Sequence, residues 1–170
     1  MDCFTNRTDA GRELATLLSS YKNRRDVVVL ALPRGGVPVA FEVARALHAP
    51  LDVFVVRKLG LPAHPELAIG AIASGGVRVL NEDVVKWLDI SPATIDAVAQ
   101  REQVELERRE RLFRGDRPLV DVLDKTVLLI DVPGHGFNDE GGCSGVAGPR
   151  LQSRSLWLFQ SALPPWECHQ

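Results

Sequence analysis

The chain is poor in cysteine, in long apolar runs and in excess charge of either sign, and each shortage argues against a class of protein. Its three cysteines, Cys3, Cys143 and Cys168, lie far apart and have neither a CxxC pair nor a His partner at a spacing that suggests zinc. That spacing does not suit zinc, and free thiols are expected. No apolar run approaches the roughly 18 to 20 residues that cross a bilayer, so an integral membrane protein is not expected. The first 20 residues, MDCFTNRTDAGRELATLLSS, carry Asp, Arg and Glu throughout and lack the apolar stretch of a secretion signal. A cytoplasmic location is the expectation. A formal net charge of −2 offers no bulk basicity, so neither nucleic acid nor a membrane is expected as a partner.

What is present is the profile of a globular protein. The 170 residues are 45% hydrophobic and 25% charged, enough for one domain with an ordinary core, or one domain with a small appendage. Apolar Ala10, Leu14, Leu17 and Leu18 recur at helical spacing and predict an opening helix from Asp9 to Ser20, with Thr8 or Asp9 as N-cap. Val27 to Leu32 is an unbroken apolar run suited to a strand buried on both faces. The loop PRGG leads to a helix from about Val37 to Leu47, with Pro38 in its first turn. Leu51 to Val56 predicts a second strand. Strand, helix and strand joined by tight turns form a βαβ unit, the building block of parallel sheets.

Beyond it, VRKLGLPAHPE has the composition of a loop, and ELAIGAIAS and VRVLN predict two shorter strands about Gly75 and Gly76, suited to a hairpin. A short helix is expected from Glu82 to Asp89. Ser91 is the expected N-cap of a long one, with Pro92 at its first position and Ile95, Val98, Val104, Leu106 and Leu112 recurring along it. The run REQVELERRERLFRG pairs opposite charges four residues apart, which reads as a solvated helix face. TVLLID, ending at Asp131, predicts another strand. From Val132 the character changes: the last 39 residues hold five charged side chains, six glycines and four prolines, and no period of 3.6 or 2 persists.

Ligands of open parallel sheets bind beyond the carboxyl ends of the strands, and three such ends are visible here: PRGG, VRKLG and IDVPGHG. Gly35 and Gly36 would let backbone amides approach an anion, at the positive end of the following helix. Arg34, Arg57 and Lys58 add cationic donors, a set that suits a phosphate or pyrophosphate. PRGG alone is better explained as a tight strand-to-helix turn; the Arg-Lys pair moves the reading toward a site. Arg34, Lys58 and Asp131 are then expected around one shared hollow. A hydrolase using amides near Gly35 as an oxyanion hole is disfavoured, because no GxSxG nucleophile elbow is present.

FTNRTDAGRELATLL, VVLALPRGGVPVAFEVARAL, LDVFVVRKLGLPAHPELAIGAI and ELERRERLFRG together resemble the type I phosphoribosyltransferase family, and more narrowly its bacterial branch with LPRGGVP and VRK motifs. The resemblance runs from about Phe4 to Asp131. It implies an α/β, parallel-sheet, Rossmann-like fold. It also implies transfer of ribose 5-phosphate from phosphoribosyl pyrophosphate (PRPP) to a nitrogen acceptor, with release of pyrophosphate and with Mg²⁺ arriving on the substrate rather than in a dedicated metal site. Arg34, Gly35 and Gly36 resemble the family's pyrophosphate loop. Arg57 and Lys58 resemble a second cationic loop, with Pro62 to Glu66 a candidate flap; His64 and Glu66 taken singly read better as solvated loop residues. Asp131 resembles the first of two acids that hold the ribose hydroxyls.

The family pattern then breaks. An acid should follow Asp131, and then a small-residue loop like ATGST that cradles the 5-phosphate; here Val132 and PGHGFNDEGG stand instead. Back-translating Gly134 to Cys143 with GC-rich codons and reading one base later yields Ala-Thr-Gly-Ser-Thr-Thr-Arg-Ala-Ala. The expectation is a frameshift near Asp131, in the gene or its sequencing. Residues 1–131 would then be a truncated phosphoribosyltransferase-like domain, and 132–170 an out-of-frame tail in which His135, Asp139 and Cys143 form no catalytic or metal constellation by design. The C-terminal part of the fold would be incomplete, the TVLLID strand would risk becoming an exposed apolar edge, and a homo-oligomer or other association stays open. The competing expectation is a noncatalytic protein that binds a phosphate-containing metabolite or a protein partner.

Overall fold

Asn6, rather than Thr8 or Asp9, starts the first helix. Its side-chain oxygen accepts the Asp9 amide at 2.9 Å, while the Asp9 carboxylate accepts the Thr5 amide at 3.3 Å. The first bond satisfies a donor that a helix start leaves open, and the second ties the preceding residue to a carboxylate in the first turn. The helix, α1, runs Arg7–Leu17. The structure, a computed structural model, describes residues 4–62, 64–132, 152, 153 and 156–158. All three cysteines, and most of the segment after Val132 including His135 and Asp139, lie outside the described residues.

The chain divides into two units, one comprising Met1–Val53 with Val120–Gln170 and the other Phe54–Leu119. In the first, strand β1 (Val27–Ala31) is buried at all five positions, as its unbroken apolar run requires. Helix α2 (Gly36–Leu47) follows it, and strand β2 (Leu51–Val53) returns parallel to β1, with Val29 opposite Leu51. A later strand of this unit, β6 (Thr126–Ile130), pairs parallel on the other side of β1 in continuous register from Val27↔Thr126 to Ala31↔Ile130. Helix α2 lays Val39, Val43 and Leu47 on this sheet, where with Val27, Val29, Leu128 and Ile130 they form the core. Burying each such side chain contributes about 1.5 to 3 kcal/mol. Helix α1 packs beside α2. Two short strands, β7 (Gln152–Ser153) and β8 (Leu156–Leu158), complete a sheet of order β2-β1-β6-β8-β7. Because β8 pairs parallel with β6, the TVLLID strand is flanked on both sides, not left as the bare edge expected.

Strand β2 stops at Val53, three residues short of the predicted Val56. Asp52 turns one carboxylate oxygen onto the Val53 amide at 2.7 Å and the other onto the Val120 amide at 2.9 Å, so the strand end is tied to the returning chain. In the second unit Val55 exchanges bonds with Ser74, its amide to the hydroxyl at 2.9 Å and its carbonyl from the Ser74 amide at 2.9 Å.

That unit is an antiparallel sheet of order β3-β4-β5. Its strands are Val56–Leu61, His64–Ala73 and Val77–Leu80. The stretch VRKLGLPAHPE, read as a loop for its Gly and Pro, is therefore mostly strand; ladder bonds such as Lys58↔Ala71 override its composition. The β4–β5 hairpin about Gly75 and Gly76 forms as expected, with both glycines at positive φ (79° and 77°). Helix α3 (Glu82–Trp87) precedes the long helix α4 (Pro92–Arg114), whose Ser91 cap accepts the Thr94 amide at 3.2 Å. Ile95, Val98, Ala99 and Leu106 form its buried stripe, whereas Val104 and Leu112 are exposed. No helix of the described residues is long and apolar enough to cross a membrane.

The charged face of α4 is paired as its spacing predicts, with Glu105 accepting from Arg108 at 2.7 Å and from Arg109 at 2.9 Å. Those bonds, Arg108 first, lower the Glu105 pKa to about 2. A carboxylate whose folded pKa is depressed contributes above its unfolded value and loses that contribution as pH falls through the folded one. NMR titration of the Glu105 side chain should give a midpoint near 2 in the folded chain. Substituting Arg108 and Arg109 together by Ala should return it to the ordinary carboxylate range near 4.

Candidate functional site

The turn after β1 is built against the end of β6. The Leu32 amide donates to the Ile130 carbonyl at 2.9 Å, extending the ladder one residue past β1, and the Gly36 amide then donates back to the Leu32 carbonyl at 3.0 Å. The Pro33–Arg34 peptide between them is cis. Gly36 has no room for a side chain, because a Cβ there would lie 2.5 Å from the Ile130 oxygen and 3.4 Å from the Asp131 Cα. Gly35 is less confined: its Cβ would reach only ordinary contact, 3.4 Å from Val132.

This geometry divides roles that the sequence lumps together. Gly36 serves close approach, and its amide is already used. Val37 donates to the Arg34 carbonyl at 3.3 Å, and Pro38 has no amide hydrogen, so the start of α2 is largely satisfied from within. Among the described residues, the Arg34 and Gly35 amides carry no such bond, and the exposed Arg34 guanidinium has no ion-pair partner. These are the donors left for an anion. Asp131 is brought beside the same turn by the contact with Gly36, exposed, with one carboxylate oxygen accepting the Val132 amide at 2.7 Å. Arg34, Gly35, Gly36 and Asp131 thus share one end of the first sheet.

Arg57 and Lys58 belong to the second unit, and the structure does not keep them as a pair. They are neighbours on β3, so alternation sends them to opposite faces of the hairpin. Arg57 shares the face of the fully buried Leu59 and meets α4, donating from Nε to Glu102 Oε2 at 3.0 Å and from Nη2 to the same oxygen. Lys58 is exposed and has no ion-pair partner among the described residues. His64 and Glu66 lie on β4 and are exposed. Glu102 was hidden within a charged run. Its signal is its place in the stripe 95, 98, 99, 102 and 106, one turn from Val98 and one from Leu106.

No group of three or more His, Cys, Asp or Glu side chains among the described residues could hold a metal ion.

The first unit is thus a mixed α/β arrangement in which β2, β1 and β6 pair in parallel. No family model matches the chain. It is 52% identical over 131 residues to two curated Mycobacterium tuberculosis proteins, "Putative phosphoribosyl transferase MT0597" of strain CDC 1551 and "Putative phosphoribosyl transferase Rv0571c" of strain H37Rv. The match covers 77% of this chain and 29% of each relative, so the chain spans less than a third of their length. The crystal structure of TT1426 from Thermus thermophilus superposes with a TM-score of 0.59 at 37% identity, covering 76% of this chain and 61% of that one. The sequence relatives support the phosphoribosyltransferase family for this chain.

The contrast between the two glycines is measurable. Gly36→Ala drives a Cβ into the Ile130 carbonyl and should cost about 1 to 3 kcal/mol, lowering the thermal midpoint by several degrees. Gly35→Ala should cost less than about 1 kcal/mol. Thermal unfolding by circular dichroism reads both, and equal losses would contradict the packing described.

Proposed function

We propose that the chain carries the pyrophosphate-binding part of a phosphoribosyltransferase. The reaction is transfer of ribose 5-phosphate from PRPP to a nitrogen acceptor with release of pyrophosphate, and turnover by this chain is impaired. The observation that carries the reading is the Arg34–Gly35 turn braced beside Asp131 at one end of a parallel sheet. Departing pyrophosphate gathers negative charge. A guanidinium and two unpaired amides fixed in advance stabilise that charge more in the transition state than in the ground state. Asp131 supplies an acceptor for a ribose hydroxyl. Magnesium, which keeps several of its waters and binds through substrate phosphates, would add charge neutralisation when carried in with PRPP. The protein's own contribution is to hold the phosphates and the sugar.

Impairment follows from position 132. A valine cannot accept a hydrogen bond from the second ribose hydroxyl, and PGHGFNDEGG lacks the run of small hydroxyl residues that would cradle the 5-phosphate. The frameshift reading is supported by the cryptic ATGST frame read one base out of step over Gly134 to Cys143. The same break favours a second reading, a noncatalytic binder of phosphorylated small molecules.

Pyrophosphate release from labelled PRPP, measured over a panel of nitrogenous bases, distinguishes them. The chain with the frame restored after Asp131 should turn over, and the chain as given should be slower by at least about 10²-fold, the scale of losing preorganised charge stabilisation. Arg34→Ala in the restored chain should cost a further 10² to 10³ or so in kcat/KM. Equal rates in the two frames would overturn the impairment. Pyrophosphate binding without turnover in either frame would favour the binder.

A further inference from the structure

We propose that Glu102 sets the anion affinity of Arg57, acting as a built-in competitor that occupies one edge of the guanidinium and offsets its charge. The inference rests on the reading of Arg57 as an anion-binding residue and goes beyond it by naming the group that restrains it. The pair joins β3 to α4 within the second unit. Both donors on the Nε–Nη2 edge go to Glu102 Oε2, and the Arg57 side chain makes no other bond among the described residues. The Nη1 group and the second Nη2 hydrogen remain available, which is the end-on edge a phosphate oxygen pair would use.

Burial separates this contact from the Arg78–Asp96 pair, which also ties a strand of this unit to α4. The side chains of Arg57 and Glu102 are 26% and 14% exposed, whereas those of Arg78 and Asp96, which join β5 to the same helix, are 37% and 60% exposed. Water screens the exposed pair almost completely; it screens the sheltered pair less, so the Glu102 charge acts on Arg57 and on any anion that approaches it. The second Glu102 oxygen faces Arg101 Nε at 3.4 Å, and Arg101 is 62% exposed. One carboxylate therefore tempers two arginines, and the sheltered one more strongly. An anion of a single charge gains little from an arginine so compensated, whereas a polyanion such as pyrophosphate repels Glu102 strongly and has the most to gain from its removal.

Glu102→Gln keeps the size and an acceptor oxygen for Nε while removing the charge. Calorimetric titration of the full chain with inorganic pyrophosphate at low ionic strength should show affinity rising about three- to tenfold in this variant. The gain should shrink with added salt. It should vanish in the Arg57→Ala, Glu102→Gln double variant, since Arg101 alone does not provide it. Weaker or unchanged binding in Glu102→Gln, with Arg57→Ala clearly weaker than the parent, would overturn the proposal while leaving Arg57 as a binding residue. Pyrophosphate affinity unaffected by Arg57→Ala would instead overturn the reading of Arg57 on which it rests. Should the Gln variant not fold by circular dichroism, Glu102→Asp, whose carboxylate is drawn back by one methylene, reads the same contact: a smaller gain is expected, and no gain contradicts the proposal.

Discussion

The hydrogen bond from the Leu32 amide to the Ile130 carbonyl is the constraint on which the candidate site depends. It carries the parallel ladder between β1 and β6 one residue past the strand, so the chain must turn immediately beside the end of β6. Everything near Asp131 follows from that. Gly36 lacks a side chain because the same carbonyl oxygen stands where one would be, its amide closes the turn onto Leu32, and the next two residues begin a helix that needs little capping from outside. What remains without an internal partner among the described residues are the two amides in the middle of the turn, those of Arg34 and Gly35. The amide donors proposed for an anion are thus a by-product of satisfying the backbone around them.

The second unit applies the opposite logic to its cations. Position along β3 decides which face a side chain takes, and Arg57 takes the face that meets α4. A guanidinium sheltered beside Leu59 needs a counter-charge, because an uncompensated one would cost several kcal/mol, and Glu102 supplies it at the cost of a weaker pull on other anions. Lys58, on the other face, keeps its charge in water. Two cations adjacent in sequence therefore differ in chemical character, one held and tempered, the other solvated.

Much of this was legible from residue order alone. The unbroken apolar runs predicted β1 and β6, the Ser91-Pro92 start predicted α4, and the βαβ pattern predicted parallel pairing; in each case local chemistry and tertiary packing point the same way. The misplacements have physical causes. Strand β2 ends early because Asp52 bonds to Val120, 68 residues away, a contact no local pattern announces. VRKLGLPAHPE reads as loop because Gly and Pro dominate its propensity, yet ladder bonding to β4 makes it strand. Val104 and Leu112 look apolar enough for the stripe of α4, yet a strict 3.6-residue period places Glu102, not Val104, in line with Val98 and Leu106. At the site, the sequence marked Arg34 to Gly36 correctly as a special turn but could not apportion roles between the glycines, because only the approach of Ile130 separates them.

Amide hydrogen exchange in the turn, with and without inorganic pyrophosphate, tests the central claim most directly. In the free chain Gly36 should be protected by its bond to Leu32 while Arg34 and Gly35 exchange freely, and saturating pyrophosphate should slow Arg34 and Gly35 and leave Gly36 unchanged. Free exchange at Gly36, or no slowing at Arg34 and Gly35 under saturating pyrophosphate, would contradict it.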